Sequence, residues 1–136
     1  MTNMRYEHTL PPVEEFYPLF LSTGWNERLK LTQDQLAAAL HASWFGVSVY
    51  SGSSLVGTGR LLSDGVYQCI ICDVIVRPDH QGLGIGREII RLLLEHGRTC
   101  GIRWMQLTSA RGKRGFYEKL GFSARPDDAP GMDIWL

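Results

Sequence analysis

One short run constrains what this chain can fold into: Gln81-Gly82-Leu83-Gly84-Ile85-Gly86, which follows an apolar stretch ending at Val76 and opens onto a helical pattern. Glycines at every second position leave no side chain between the main chain and a ligand, permit positive φ and let several N–H groups converge. From Ile85 onward, Ile85, Ile89, Leu92, Leu93 and His96 recur at helical spacing, with Arg87, Arg91, Glu95 and Arg98 on another side. The helix N-terminus adds a partial positive charge of about half an elementary unit at the same point. An anion is the natural occupant.

Two better-known glycine loops fail on sequence. A dinucleotide fingerprint reads G-x-G-x-x-G and opens a βαβ unit, whereas this loop reads G-x-G-x-G and comes after several antiparallel strands. A nucleotide-triphosphate loop ends in G-K-[ST], and Gly86 is followed by Arg87-Glu88. Charge supports the anion: net charge is zero, yet residues 77 to 125 hold ten Lys or Arg against four Asp or Glu. That asymmetry fits an anionic small ligand better than nucleic acid, for which the neutral total and the lack of aromatic-basic alternation give no phosphate-tracking surface.

The flanking elements follow from local signals. Thr32-Gln33-Asp34-Gln35 matches a capping box, with Leu31 and Leu36 as a hydrophobic staple, so a helix runs from there to about His41. Glu14 to Ser22 reads as another short helix, limited by Pro18. Trp44 to Tyr50 and Leu55 to Leu62 read as strands joined by the turn Ser51-Gly52-Ser53-Ser54, and Val66 to Val76 as a long central strand buried on both faces. After the loop and its helix come a strand over Arg103 to Ser109, a short helix over Gly115 to Leu120 closed by Gly121, and two short strands in the last fifteen residues. The order predicts an α+β (mixed α/β) fold: a mixed, mostly antiparallel sheet with helices on both faces.

The chain has 136 residues, 44% of them hydrophobic and 21% charged, the size and mix of a single domain over 1–136. No apolar segment approaches the roughly 20 residues that cross a bilayer, and no leader pattern is visible. Cys69, Cys72 and Cys100 make an odd count without disulfide-like spacing, which suits a reducing compartment, and the expected location is cytoplasmic. Cys69 and Cys72, three apart on a strand, point to opposite faces and cannot converge on one metal, so no metal site is expected.

The glycine loop, taken with Asp73-Val74-Ile75-Val76-Arg77-Pro78 before it and Phe116-Tyr117-Glu118-Lys119-Leu120-Gly121-Phe122 after it, resembles the GNAT superfamily of acyl-CoA N-acyltransferases. That family's signature, [QR]-x-x-G-x-[GA], is matched in full, and the resemblance covers essentially residues 44 to 136. Tyr17 to Trp25, Arg125-Pro126 and Pro130-Gly131-Met132 are similar to a bacterial and plastid branch that includes arylalkylamine and serotonin acetyltransferases.

The resemblance implies transfer of the acetyl group of acetyl-CoA to a primary amine, of a small molecule more than of a protein, by direct attack in a ternary complex. It implies the GNAT fold, with the sheet splayed between the family's strands 4 and 5. Gln81, Gly82, Leu83, Gly84, Ile85, Gly86 and Arg87 would wrap the pyrophosphate of coenzyme A, while Val74, Ile75 and Val76 pair through main chain with the pantetheine arm and Ser109 adds a further cofactor contact. The splay needs a β-bulge near position 73 or 74. Tyr117 would be the general acid for the departing thiolate, with an aromatic core pair of Phe116 and Tyr117 as the plain alternative. Asp73 is the first choice of general base and equally a residue that satisfies backbone at the bulge; His41 and His80 follow, and the N–H of Val74 would meet the oxyanion. Tyr17, Phe20 and Trp25, with Met132 and Trp135, would wall the amine entrance or simply fill core. Homodimers joined through terminal strands are common among relatives. A non-catalytic acyl-CoA sensor is the competing reading, and it predicts cofactor binding without turnover.

Overall fold

The computed structural model describes residues 3–136, which form two compact units, one ending at Gln106 and one covering Leu107–Leu136. In the first unit β1 (Met4–Glu7), β2 (Phe45–Ser51), β3 (Ser54–Ser63) and β4 (Gln68–Val76) run antiparallel, and β5 (Trp104–Gln106) lies parallel to β4. Spatial order equals chain order. Three helices, α1 (Val13–Leu21), α2 (Asn26–Leu29) and α3 (Gln33–His41), precede β2, and α4 (Ile85–Thr99) is the crossover that a parallel β4–β5 pair requires. The second unit contains α5 (Arg114–Lys119).

Helices cover both faces of the sheet, as the sequence predicts. Ile75 of β4 is buried with Phe16, Leu19 and Phe20 of α1 and with Leu36 and Leu40 of α3. Its cross-strand partner Thr58 lies between Gly57 and Gly59, and these two glycines face the other way, against α4. A Cβ at Gly59 would stand 2.7 Å from Ile89 Cγ2 and 3.1 Å from Leu93 Cδ1. Alternation along the strand thus assigns the two helical layers to opposite faces. The glycines let α4, which buries Ile85, Ile89, Ile90 and Leu93, sit close to the sheet.

The capping box forms as expected: Thr32 Oγ1 accepts from the Gln35 N–H at 3.1 Å, and the Thr32 N–H donates to Gln35 Oε1 at 2.9 Å. α1 forms within one residue of the expected span, carrying Pro18 internally and ending at Leu21. β1 and α2 go beyond the sequence reading. β4 begins at Gln68, two residues late, because the Asp64 carboxylate accepts the N–H groups of Val66 (2.7 Å) and Tyr67 (3.0 Å) and holds them in a turn. Its first half is covered on one face only: Cys69 and Ile71 are buried while Ile70 is 47% exposed. The two strands expected in the last fifteen residues do not form. Pro126 and Pro130 cannot donate to a ladder, and the Ala129 N–H closes a turn onto Pro126 O at 2.9 Å.

Candidate functional site

The central strand is bent at the place where a bulge is expected. Thr58 pairs with Ile75 and Arg60 with Cys72, so Gly59 alone opposes the two residues Asp73 and Val74. Asp73 takes φ 51°, a left-handed conformation that Asp tolerates better than most side chains. Its carboxylate Oδ2 accepts from Arg60 Nε at 2.8 Å, in an ion pair whose side chains are only 15% and 20% exposed. Pairing between β4 and β5 spans Gln68–Ile70 with Trp104–Gln106 and no further, which is the expected parting of these strands. Beyond it, Arg77 N–H donates to Val56 O at 2.8 Å and Ile75 pairs with Thr58. The antiparallel alternation therefore turns the N–H and C=O of Val76 away from β3.

Val76 O receives one donor there, the side-chain amide of Gln81 at 3.0 Å. Between them a 3₁₀ turn, Pro78–His80, reverses the chain. In it Asp79 bridges Arg77 Nε (2.7 Å) and His80 Nδ1 (2.8 Å), and these hydrogen bonds, the Arg77 one foremost, pull its carboxyl down to about 2. His80 is thus engaged by its neighbour. Gly82 and Gly84 sit at φ 79° and 81°, whereas Gly86 is an ordinary residue of α4's first turn and needs no positive φ. Gly84 is the N-cap and supplies no side-chain cap, and the first intrahelical bond runs from Glu88 N–H to Gly84 O at 3.1 Å. The N–H groups of Ile85, Gly86 and Arg87 are the uncapped donors of this terminus. A Cβ at Gly82 would meet nothing within 4 Å, and one at Gly84 would come 3.5 Å from Arg87 Nη2, so the guanidinium lies beside the loop. Leu83 is 64% exposed at its tip and Ile85 anchors the far side in the core.

A cleft of about 290 Å³ runs along this edge. One wall is Val74 to Val76 with Pro78 and Gln81, and the other is Ser22, Thr23 and Trp25 from the end of α1. Ser22 and Thr23 use their hydroxyls on the α1 carbonyls of Leu19 (2.6 Å) and Phe20 (2.7 Å), which ends the helix and turns Trp25 toward the cleft. Of the expected wall residues in the first unit, Trp25 lines the cleft, Phe20 is a 3% exposed core residue that braces it edge-on at 6.0 Å, and Tyr17 packs beside the core. Ser22, Thr23 and Pro78 were missed, although Ser22-Thr23-Gly24 after an apolar helix is a visible helix stop.

In the second unit Tyr117 lies in α5, edge-on to Phe116 (5.1 Å) and Phe122 (5.8 Å), and burial raises its phenol above the usual 10. Ser109 is exposed, its hydroxyl donating to Ala110 O at 2.8 Å. Met132 is 90% exposed and Trp135 52%. Burial also raises the thiols, Cys69 to about 11 and Cys72 above its ordinary value.

A mixed five-stranded sheet whose parallel pair parts after three residues, with helices on both faces, is the GNAT fold. The chain belongs to the acetyltransferase (GNAT) family, whose sequence pattern it matches over residues 10–122. It is 35% identical over 115 residues to the uncharacterized N-acetyltransferase ycf52 of Pyropia yezoensis, covering 82% of this chain and 64% of that one. It is 35% identical over 121 residues to serotonin N-acetyltransferase 2, chloroplastic, of Oryza sativa subsp. japonica, covering 86% and 59%. The chain spans about three fifths of the length of these curated relatives. A solved GNAT-family acetyltransferase from Streptococcus pneumoniae superposes with a TM-score of 0.77 at 24% identity, over 100% of this chain and 98% of that one. At that identity the likeness speaks for the fold.

Proposed function

We propose that this protein transfers the acetyl group of acetyl-CoA to a primary amine of a small molecule. The observation that carries the reading is the continuity of an unpaired β4 edge at Val76 with the side-chain-free loop Gly82–Gly84 and the uncapped start of α4. The pantetheine amides add to the edge as a further strand would, and the pyrophosphate lies on the loop amides with Arg87 beside it. Leu83, Ile85, Gly86 and Ser109 complete the proposed cofactor set as the family pattern implies. The Trp25 side of the cleft then receives the amine, and this one indole ring favours an arylalkyl or otherwise amphipathic amine.

The chemistry needs a neutral amine, a stabilised oxyanion and a protonated leaving thiolate. An alkylammonium of pKa about 10.4 is neutral about once in 2,500 molecules at pH 7, a deficit of roughly 4.6 kcal/mol that desolvation or a base must offset. The amine nitrogen attacks the thioester carbonyl, the N–H of Val74 meets the oxyanion, the nitrogen passes its surplus proton to solvent water, and collapse breaks the C–S bond. Tyr117 supplies the proton to the thiolate: a phenol kept protonated by burial suits that task.

Three unpaired thiols suit a reducing compartment, such as the cytoplasm, and a relative's name places that protein in a chloroplast. Among the described residues no helix is long and apolar enough to cross a membrane. The test is release of coenzyme A thiol from acetyl-CoA over a panel of arylalkylamines, polyamines and short peptides. Turnover with arylalkylamines supports the reading, turnover with peptides alone redirects it to protein amines, and cofactor binding without turnover of any amine favours a sensor.

A further inference from the structure

The proposed reaction lacks an assigned base, and the geometry at the bulge bears on it. We propose that Asp73 is a positioning residue, the lower half of an Arg60–Asp73 strut that holds the β4 bulge and with it the open edge of Val76. This rests on the acetyl-CoA reading for its functional consequence, though the strut has a readout of its own.

Arg60 is a lone cation in an apolar strand, and all its partners lie around the bulge. Its Nε donates to Asp73 Oδ2 at 2.8 Å, while Nη1 reaches Ser43 Oγ at 3.1 Å and Ala39 O at 3.4 Å. Ala39 O belongs to the last turn of α3, where carbonyls lack intrahelical donors and a cation is favourable. One guanidinium therefore fastens three elements: β3, from which it comes, the end of α3, and the bulge. Asp73 is the residue that pays in backbone conformation for the extra position opposite Gly59, at φ 51°. The carboxylate that accompanies this conformation is bound on the α3 side, and Asp73 is not among the residues lining the cleft, though its three successors are. A carboxylate committed to a mostly buried guanidinium fixes geometry; its removal leaves that cation unpaired.

Three variants separate the roles. Asp73→Asn keeps an acceptor for Arg60 and a side chain at ease in the left-handed region; Asp73→Gly keeps the conformation and loses the strut; Arg60→Met loses the strut from the other side. The expected result is acetyl-CoA affinity about tenfold or more weaker in Asp73→Gly and Arg60→Met, within about threefold of wild type in Asp73→Asn, and an unchanged kcat–pH profile in Asp73→Asn. Amide exchange at Ile75 and Arg77 should quicken in the first two and not in Asp73→Asn. Loss of turnover in Asp73→Asn with affinity intact would make Asp73 the base and overturn the proposal, as would wild-type affinity and exchange in Asp73→Gly. If wild type binds no acetyl-CoA, the functional reading fails, and the exchange data alone decide whether the strut stands.

Discussion

The side-chain amide of Gln81 donates to the carbonyl oxygen of Val76 at 3.0 Å, tying the start of the glycine loop to the end of β4. The carbonyl keeps a second lone pair for a ligand amide, so the tie orders the edge without closing it. Gln81→Glu replaces that donor with an acceptor and adds a negative charge where a pyrophosphate is expected. Acetyl-CoA affinity should fall at least about tenfold, against a few-fold in Gln81→Ala, with circular dichroism unchanged in both. Titration calorimetry checks the order.

Tyr117→Phe removes the proposed proton donor and leaves the ring in its contacts with Phe116 and Phe122. We expect kcat to fall roughly 10²-fold or more while acetyl-CoA affinity is kept. The sign of the pH effect follows from burial, which raises the phenol's pKa above 10. The acid form persists through neutral and mildly alkaline pH, so an activity loss with an apparent pKa below 10 belongs to another group. Its persistence in Tyr117→Phe would show this.

Gly59→Ala tests the packing beneath the site. The added methyl meets Ile89 Cγ2 at 2.7 Å and Leu93 Cδ1 at 3.1 Å, both on fully buried side chains that cannot swing aside. Overpacking should cost about 1–3 kcal/mol and lower Tm by several degrees. Pairing it with Ile89→Val should recover part of the loss.

The thiols should react in the order of exposure. Cys100 is exposed, Cys72 half-buried, and Cys69 is buried with its thiol pushed up to about 11. A thiol reagent at pH 8 should label Cys100 rapidly in the native protein, and all three only after denaturation.

Local grammar carried much of this fold into view. Thr32 and Gln35 form their box whatever lies elsewhere, and the loop at Gly82 and Gly84 needs only its own φ angles. What was not legible depends on distant partners. β1 shows no strong alternation and is a strand because it pairs with β2 across more than forty residues, Met4 with Ser51. α2 is held by Asn26, whose side chain bonds both the N–H and the C=O of Leu31 at 2.8 and 3.0 Å. The bulge was expected from family resemblance, but its partner was not: Arg60 interrupting an apolar strand was the signal that an acid must stand nearby. The tail failed as strand because Pro126 and Pro130 lack donors, a sign already present in the sequence.

The most direct test of the account is calorimetric titration of acetyl-CoA into wild-type protein and into Gly84→Asp, which places a side chain and a negative charge at the φ 81° position heading α4. Wild type should bind saturably, and a Gly84→Asp protein that folds normally by circular dichroism should not bind. Absence of binding to wild type, or equal binding to both, would contradict it.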